Sequence, residues 1–145
     1  MNDQPHSPLL DQPHDVILSS GFLAFSRHLG VLRAIEARGV PVAAVTGTSS
    51  GALVGALWAA GHTTQTLEQT IGALAPWQLL RPHPWLWQGV LSMEAFLAFV
   101  RPLLPPTFAD LPVPLAVGVI DAQKRHLHAS KPTCQSKLFG TSFAL

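Results

Sequence analysis

The sequence predicts an α/β domain: a parallel sheet with flanking helices and a sharp strand-to-helix bend. Three observations lead there. Short apolar runs, Val16-Ile17-Leu18 and Pro41-Val42-Ala43-Ala44-Val45, alternate with segments of helical spacing, the order expected of strand–helix–strand units. The second run passes straight into Thr46-Gly47-Thr48-Ser49-Ser50-Gly51, a block of small residues, before a segment rich in Ala and Leu. With 145 residues the chain can bury about two-thirds of the surface it exposes when unfolded, enough for one domain.

Residues 1–14 carry Pro5, Pro8 and Pro13 among Gln, His and Asp, which predicts a disordered lead. They lack the apolar core of a secretory signal, so the expected location is cytoplasmic. Val16-Ile17-Leu18 fits a buried parallel strand. Ser19-Ser20-Gly21 follows as a loop, and Phe22 to Phe25 is an apolar piece that fits either period. Leu29, Leu32, Ala34 and Ile35 then recur at helical spacing, with Arg33, Glu36 and Arg38 on the other side and Gly39 as the stop. Pro41 to Val45 is a second strand. The implied connection between these parallel strands is a right-handed crossover.

Ser50 to Ala60 predicts a helix ended by Gly61. Thr63 to Leu74 predicts another, capped by Thr63 or Thr64. Trp77, Trp85 and Trp87 stand among Pro76, Pro82 and Pro84, which argues against regular structure over 76–89. Ser92 is the expected N-cap of a helix through Met93-Glu94-Ala95-Phe96 that closes near Arg101, before Pro102. Pro112 to Ile120 predicts a third strand ending at Asp121. From Ala129 onward neither period holds. The expected organisation is a domain over 15–128 and an atypical tail over 129–145.

Composition excludes several functions. A net charge of +1 gives no electrostatic footprint for nucleic acid. The lone Cys134 excludes an intrachain disulfide. His126 and His128 alternate as on a strand face and lack acidic or cysteine partners at ligand spacing, so neither metal nor organic cofactor is expected. From Gly39 to Leu67 there is no Asp, Glu, Lys or Arg, and Gly47, Gly51 and Gly55 have the small-xxx-small spacing of helices that pack in lipid. A spanning helix needs about 20 predominantly apolar residues. The polar block at 46–51 and Pro41 interrupt this window, which favours a buried strand and helix. The alternative is a small membrane-associated or interaction protein that uses this window and the tryptophans.

Gly47-Thr48-Ser49-Ser50-Gly51 has the G-x-S-x-G pattern between a strand and a helix. Such a bend presents the serine hydroxyl at the top of a sheet, beside free amides at a helix start. Glycine tolerates the close approaches that the reversal forces. Ser49 is the candidate nucleophile, and the Ser50 amide a candidate oxyanion donor. Phosphate binding is disfavoured, because no Lys follows Gly51 as a P-loop requires.

Leu18 to Gly61 resembles the patatin-like phospholipase family. The resemblance is carried by the first strand and its loop, by Gly30-Val31-Leu32-Arg33-Ala34-Ile35-Glu36, and by the Gly-Thr-Ser-x-Gly-Ala-Leu bend at Gly47 to Leu53. It is strong over about residues 15–61, loose over 62–128 and absent over 129–145. It implies a serine hydrolase of lipid acyl esters in which Ser49 attacks and an aspartate acts directly as base. The family's oxyanion loop has three glycines, a variable residue, an arginine and a glycine. Ser20, Gly21, Phe22, Leu23, Ala24 and Phe25 stand at those positions; only Gly21 keeps a glycine, and Ala24 replaces the arginine. Gly21 and Phe22 are therefore the candidate loop amides.

The family's aspartate sits on a late Asp-Gly turn, and this chain has no Asp-Gly pair. Asp110 precedes Leu111 and Asp121 precedes Ala122, so the base is unidentified. The expectation is a truncated product with weak or no activity. Its expected partners are a lipid or other acyl ester and a peripheral membrane contact. Trp77, Trp85 and Trp87 read as core packing of an irregular insertion, with a lipid-facing lip as the alternative. His28, beside the oxyanion loop, reads as a satisfied helix-start histidine, with a positioning role as the alternative.

Overall fold

The computed structural model describes residues 11–21, 24–72, 81–82, 91–92, 98–120 and 127–130. Strand β1 (His14–Leu18) leads through a loop into helix α1 (Phe25–Arg38), and strand β2 (Val42–Thr48) into helix α2 (Ser50–Ala59). Helix α3 (Thr64–Gly72) follows, then short strands β3 (Arg81–Pro82) and β4 (Leu91–Ser92), and finally β5 (Leu115–Ile120) and β6 (Leu127–Ser130). The main sheet has the order β1-β2-β5-β6 among the described residues. The first three strands are parallel and β6 runs antiparallel to β5. The expected α/β fold is observed, with β2 at its centre.

Alternation along the strands sends Val16, Leu18, Val45, Gly47, Leu115 and Val117 to one buried face. On the other face Ile17 is 77% exposed. Helix α2 lies against the buried face. A Cβ on Gly55 would stand 2.9 Å from Val45 Cγ1, 3.5 Å from Leu18 Cδ1 and 3.7 Å from Leu115 Cδ1. This glycine therefore lets the helix cross all three parallel strands at close range. Val54, Leu57 and Ala59 are fully or almost fully buried, so α2 is apolar around its whole circumference, as an interior helix must be.

Helix α1 packs on α2 and α3 through His28, Leu29 and Leu32, and stops at Gly39, whose φ is 62°. The Glu36 carboxylate accepts from Trp58 Nε1 at 2.7 Å and from Thr64, through its N–H at 3.2 Å and its hydroxyl at 2.5 Å. One side chain on α1 thereby ties α2 to the start of α3. The charge-free window is divided between β2, α2 and the start of α3. No helix among the described residues is long and apolar enough to cross a membrane.

Several elements differ from expectation. Strand β2 continues through Thr46-Gly47-Thr48, because β5 supplies ladder partners from Val45↔Leu115 to Thr48↔Gly118. Helix α1 begins at Phe25, three residues ahead of His28. Ser92 is no N-cap: it pairs with Arg81 in the antiparallel β3–β4 ladder, which also carries Pro82 inside the stretch read as irregular. Pro102 does not end helical structure but enters a 3-10 turn over Arg101–Leu103. Ala129 and Ser130 are sheet residues, paired with Gly118 and Val117, so regular structure extends past position 128. Trp77, Trp85, Trp87, Asp121, His126 and Cys134 lie outside the described residues, as do residues 1–10 of the expected lead.

Candidate active site

Parallel pairing of Leu18 with Gly47 brings the ends of β1 and β2 side by side. The loop after β1 and the bend after β2 therefore leave the same edge of the sheet, the carboxyl edge where open α/β sheets place their sites. The close approach is severe. A Cβ on Gly47 would lie 2.5 Å from Ala52 Cα and 2.6 Å from the Ala52 nitrogen. A Cβ on Gly51 would collide with the Leu18 carbonyl oxygen and lie 2.7 Å from that of Ser19. Real Cβ atoms do not occupy such positions, so both glycines are required by packing against backbone, which cannot rotate away.

Ser49 sits between them with φ 52° and ψ −123°. It has the only positive φ of any non-glycine residue among those described. A residue held in such a sparsely populated region costs about 1–3 kcal/mol. Ser49 is exposed and, although it is the N-cap of α2, its side chain makes no cap hydrogen bond. Its carbonyl accepts the first helical bond, from Leu53 N–H at 3.2 Å. The amides ahead of Leu53 in the first turn of α2 have no intrahelical acceptor, and the helix dipole adds partial positive charge there.

Ser50 turns the other way and is buried. Its hydroxyl donates to the Gly21 carbonyl at 2.7 Å and lies 3.5 Å from His28 Nε2. The same carbonyl accepts the Ala24 N–H at 3.2 Å, and a Cβ on Gly21 would stand 2.7 Å from that of Ala24. The structure thus brings together Gly21, Gly47, Ser49, Ser50 and Gly51. Phe22 lies outside the described residues. Asp110 is engaged elsewhere: its carboxylate accepts from the Thr107 N–H at 3.2 Å and hydroxyl at 2.7 Å, capping a 3-10 turn.

Sequence reasoning gave Ser50 only its amide, and His28 a satisfied place at a helix start with a positioning role as the alternative. A usable signal existed. His28, Leu32 and Ile35 have i, i+4, i+7 spacing, so the histidine belongs to the inward stripe of α1. A serine rather than an apolar residue at a buried first-turn position likewise asks for a partner.

The sequence pattern of patatin-like phospholipases matches residues 16–137. The chain belongs to the patatin-like phospholipase family. The match includes both glycine-lined turns and continues through β6 to residue 137, so the resemblance does not end at 128 as expected. Among similar proteins is the neuropathy target esterase sws of Drosophila sechellia, 41% identical over 54 residues, which is 37% of this chain and 4% of that protein. The Drosophila melanogaster protein of the same name matches to the same extent, and that of Drosophila persimilis is 39% identical over 54 residues. This chain thus aligns with about 4% of the length of these relatives.

Proposed function

We propose that the chain carries the nucleophile side of a serine hydrolase acting on lipid acyl esters. The observation that carries this reading is Ser49: a non-glycine residue at φ 52°, exposed, with a hydroxyl that caps nothing. Glycine would relieve the strain, so a side chain kept there has a use that folding does not supply. Family membership and the esterase names of the similar proteins support the same chemistry.

In this reading Ser49 Oγ attacks the ester carbonyl, its proton passes to a base, and the alcohol leaves to give an acyl-enzyme that water resolves. The Ser50 and Gly21 amides, with Phe22 as the further donor the family resemblance implies, stabilise the developing oxyanion. One such donor is worth roughly 3–4 kcal/mol. The resemblance makes the base an aspartate on an Asp-Gly turn, and these 145 residues contain no such pair. Loss of one member of such a unit lowers turnover by about 10⁴–10⁶-fold, so the chain by itself is a weak hydrolase. Its substrate partner is a lipid ester met at a membrane surface.

Turnover of p-nitrophenyl acyl esters and of lysophospholipid micelles tests this. Slow release above background that disappears in Ser49→Ala is the expected result. Equal release by Ser49→Ala and the parent would remove the hydrolase reading, and turnover at hundreds per second would remove the inferred lack of a base.

A further inference from the structure

We propose that His28 and Ser50 form a hydrogen-bonded relay that holds the Gly21 carbonyl turned away from the reacting centre, making both positioning residues for the oxyanion loop. The proposal rests on the reading of Ser49 as nucleophile. Its starting point is a proton count. The Ser50 hydroxyl has one proton and the Gly21 carbonyl has none, so at 2.7 Å that proton lies on the line to Gly21. The oxygen therefore turns a lone pair toward His28 Nε2, 3.5 Å away. His28 is only 6% exposed, and two facing lone pairs in a buried site repel. Nε2 must carry a hydrogen. The relay runs His28 Nε2–H to Ser50 Oγ, then Ser50 O–H to the Gly21 oxygen.

The relay joins three separate pieces of chain: α1 through His28, the first turn of α2 through Ser50, and the loop after β1 through Gly21. Glycine lets a peptide rotate at little cost. A loop carbonyl rotated into the site would place an acceptor where an oxyanion needs donors. Two donors oppose that rotation here, the Ser50 hydroxyl and the Ala24 N–H. The two links of the relay differ in strength. At 2.7 Å the serine bond is short, whereas 3.5 Å is at the long limit for a hydrogen bond, so His28 acts mainly by orienting the hydroxyl. Simple core filling at 28 would need no polar side chain, since Leu32 and Ile35 on the same stripe are apolar.

The test combines the rate of covalent labelling of Ser49 by a fluorophosphonate with long-range nitrogen-15 NMR of the His28 ring. Indirect loss of one oriented loop should cost less than removal of a donor itself, so Ser50→Ala is expected to slow labelling by about 30-fold and His28→Leu by about 10-fold. His28→Gln, which returns an N–H near the Nε2 position, should stay within about 3-fold of the parent, and the double variant should be no slower than Ser50→Ala, because both changes cut one chain. The ring should carry a hydrogen on Nε2. Additive losses, a His28→Gln rate equal to that of His28→Leu, or the Nδ1-protonated tautomer would overturn the relay. Variants that label as fast as the parent at Ser49 would overturn it and leave the nucleophile reading standing. A parent labelled at a residue other than Ser49 would remove the nucleophile reading, and the positioning role with it, whatever tautomer is seen.

Discussion

Helices α2 and α3 begin in opposite ways. At α3 two amides of the first turn find side-chain acceptors: the Thr63 hydroxyl accepts the Thr66 N–H at 3.2 Å, and the Glu36 carboxylate accepts the Thr64 N–H and hydroxyl. At α2 the cap residue is strained, its hydroxyl accepts nothing from the turn, and no acidic side chain lies nearby in the first turn. Both starts follow a small polar stretch, and both have serine or threonine at the position that ordinarily caps. One is built to stabilise the helix. The other withholds its donors and its hydroxyl, and the packing of α2 against three strands sustains the cost. A helix start that forgoes a cap worth about 1 kcal/mol inside a well-packed core is a place to look for chemistry.

The largest expected break in this contrast is at Gly51. Gly51→Ala would push α2 off the carbonyls of Leu18 and Ser19, and a loss of about 3 kcal/mol is expected from overpacking against backbone, measurable by urea unfolding. Stability equal to the parent would show that the bend has room, and the crowding argument would fail. Next in size is Glu36→Ala, which removes the acceptor for Trp58 and Thr64 together. Because this carboxylate is on the exposed side of α1, roughly 1–2 kcal/mol is expected rather than the full value of charged hydrogen bonds, with earlier amide exchange in α3. An unchanged exchange pattern there would mean that Glu36 does not cap that helix.

The smallest pair is the sharpest, because its two members should move in opposite directions. Thr63→Ala removes a working cap and should cost about 1 kcal/mol. Ser49→Gly removes positive-φ strain and should add about 1 kcal/mol while abolishing any serine chemistry. Thermal unfolding of the two variants side by side gives the answer. Two losses of equal size would make the two helix starts alike and dissolve the contrast.

Much of this architecture was legible in the sequence where period and packing agree. Val16 and Leu18, and the Leu29–Leu32–Ile35 stripe ending at Gly39, follow from burial of one face. The bend at Gly47, Ser49 and Gly51 was legible because a strand that reverses into a helix crowds its own backbone, and glycine tolerates that. The rest depended on partners far along the chain. Thr46-Gly47-Thr48 has the composition of a turn, yet it is strand because β5 pairs with it. Leu127–Ser130 has little strand pattern of its own and is held by its ladder with β5. Ser92 looks like a helix cap until Arg81 pairs with it. The tie from Ser50 to Gly21 spans two elements, and no local pattern encodes it.

The central claim is that the hydroxyl at position 49, and not its buried neighbour, is the reacting group. Reaction of the intact chain with a fluorophosphonate, followed by peptide mapping in a mass spectrometer, tests it directly. A single adduct on Ser49, absent from Ser49→Ala and retained in Thr63→Ala, is the result expected. An adduct on Ser50, or labelling of Ser49→Ala equal to that of the parent, would contradict it.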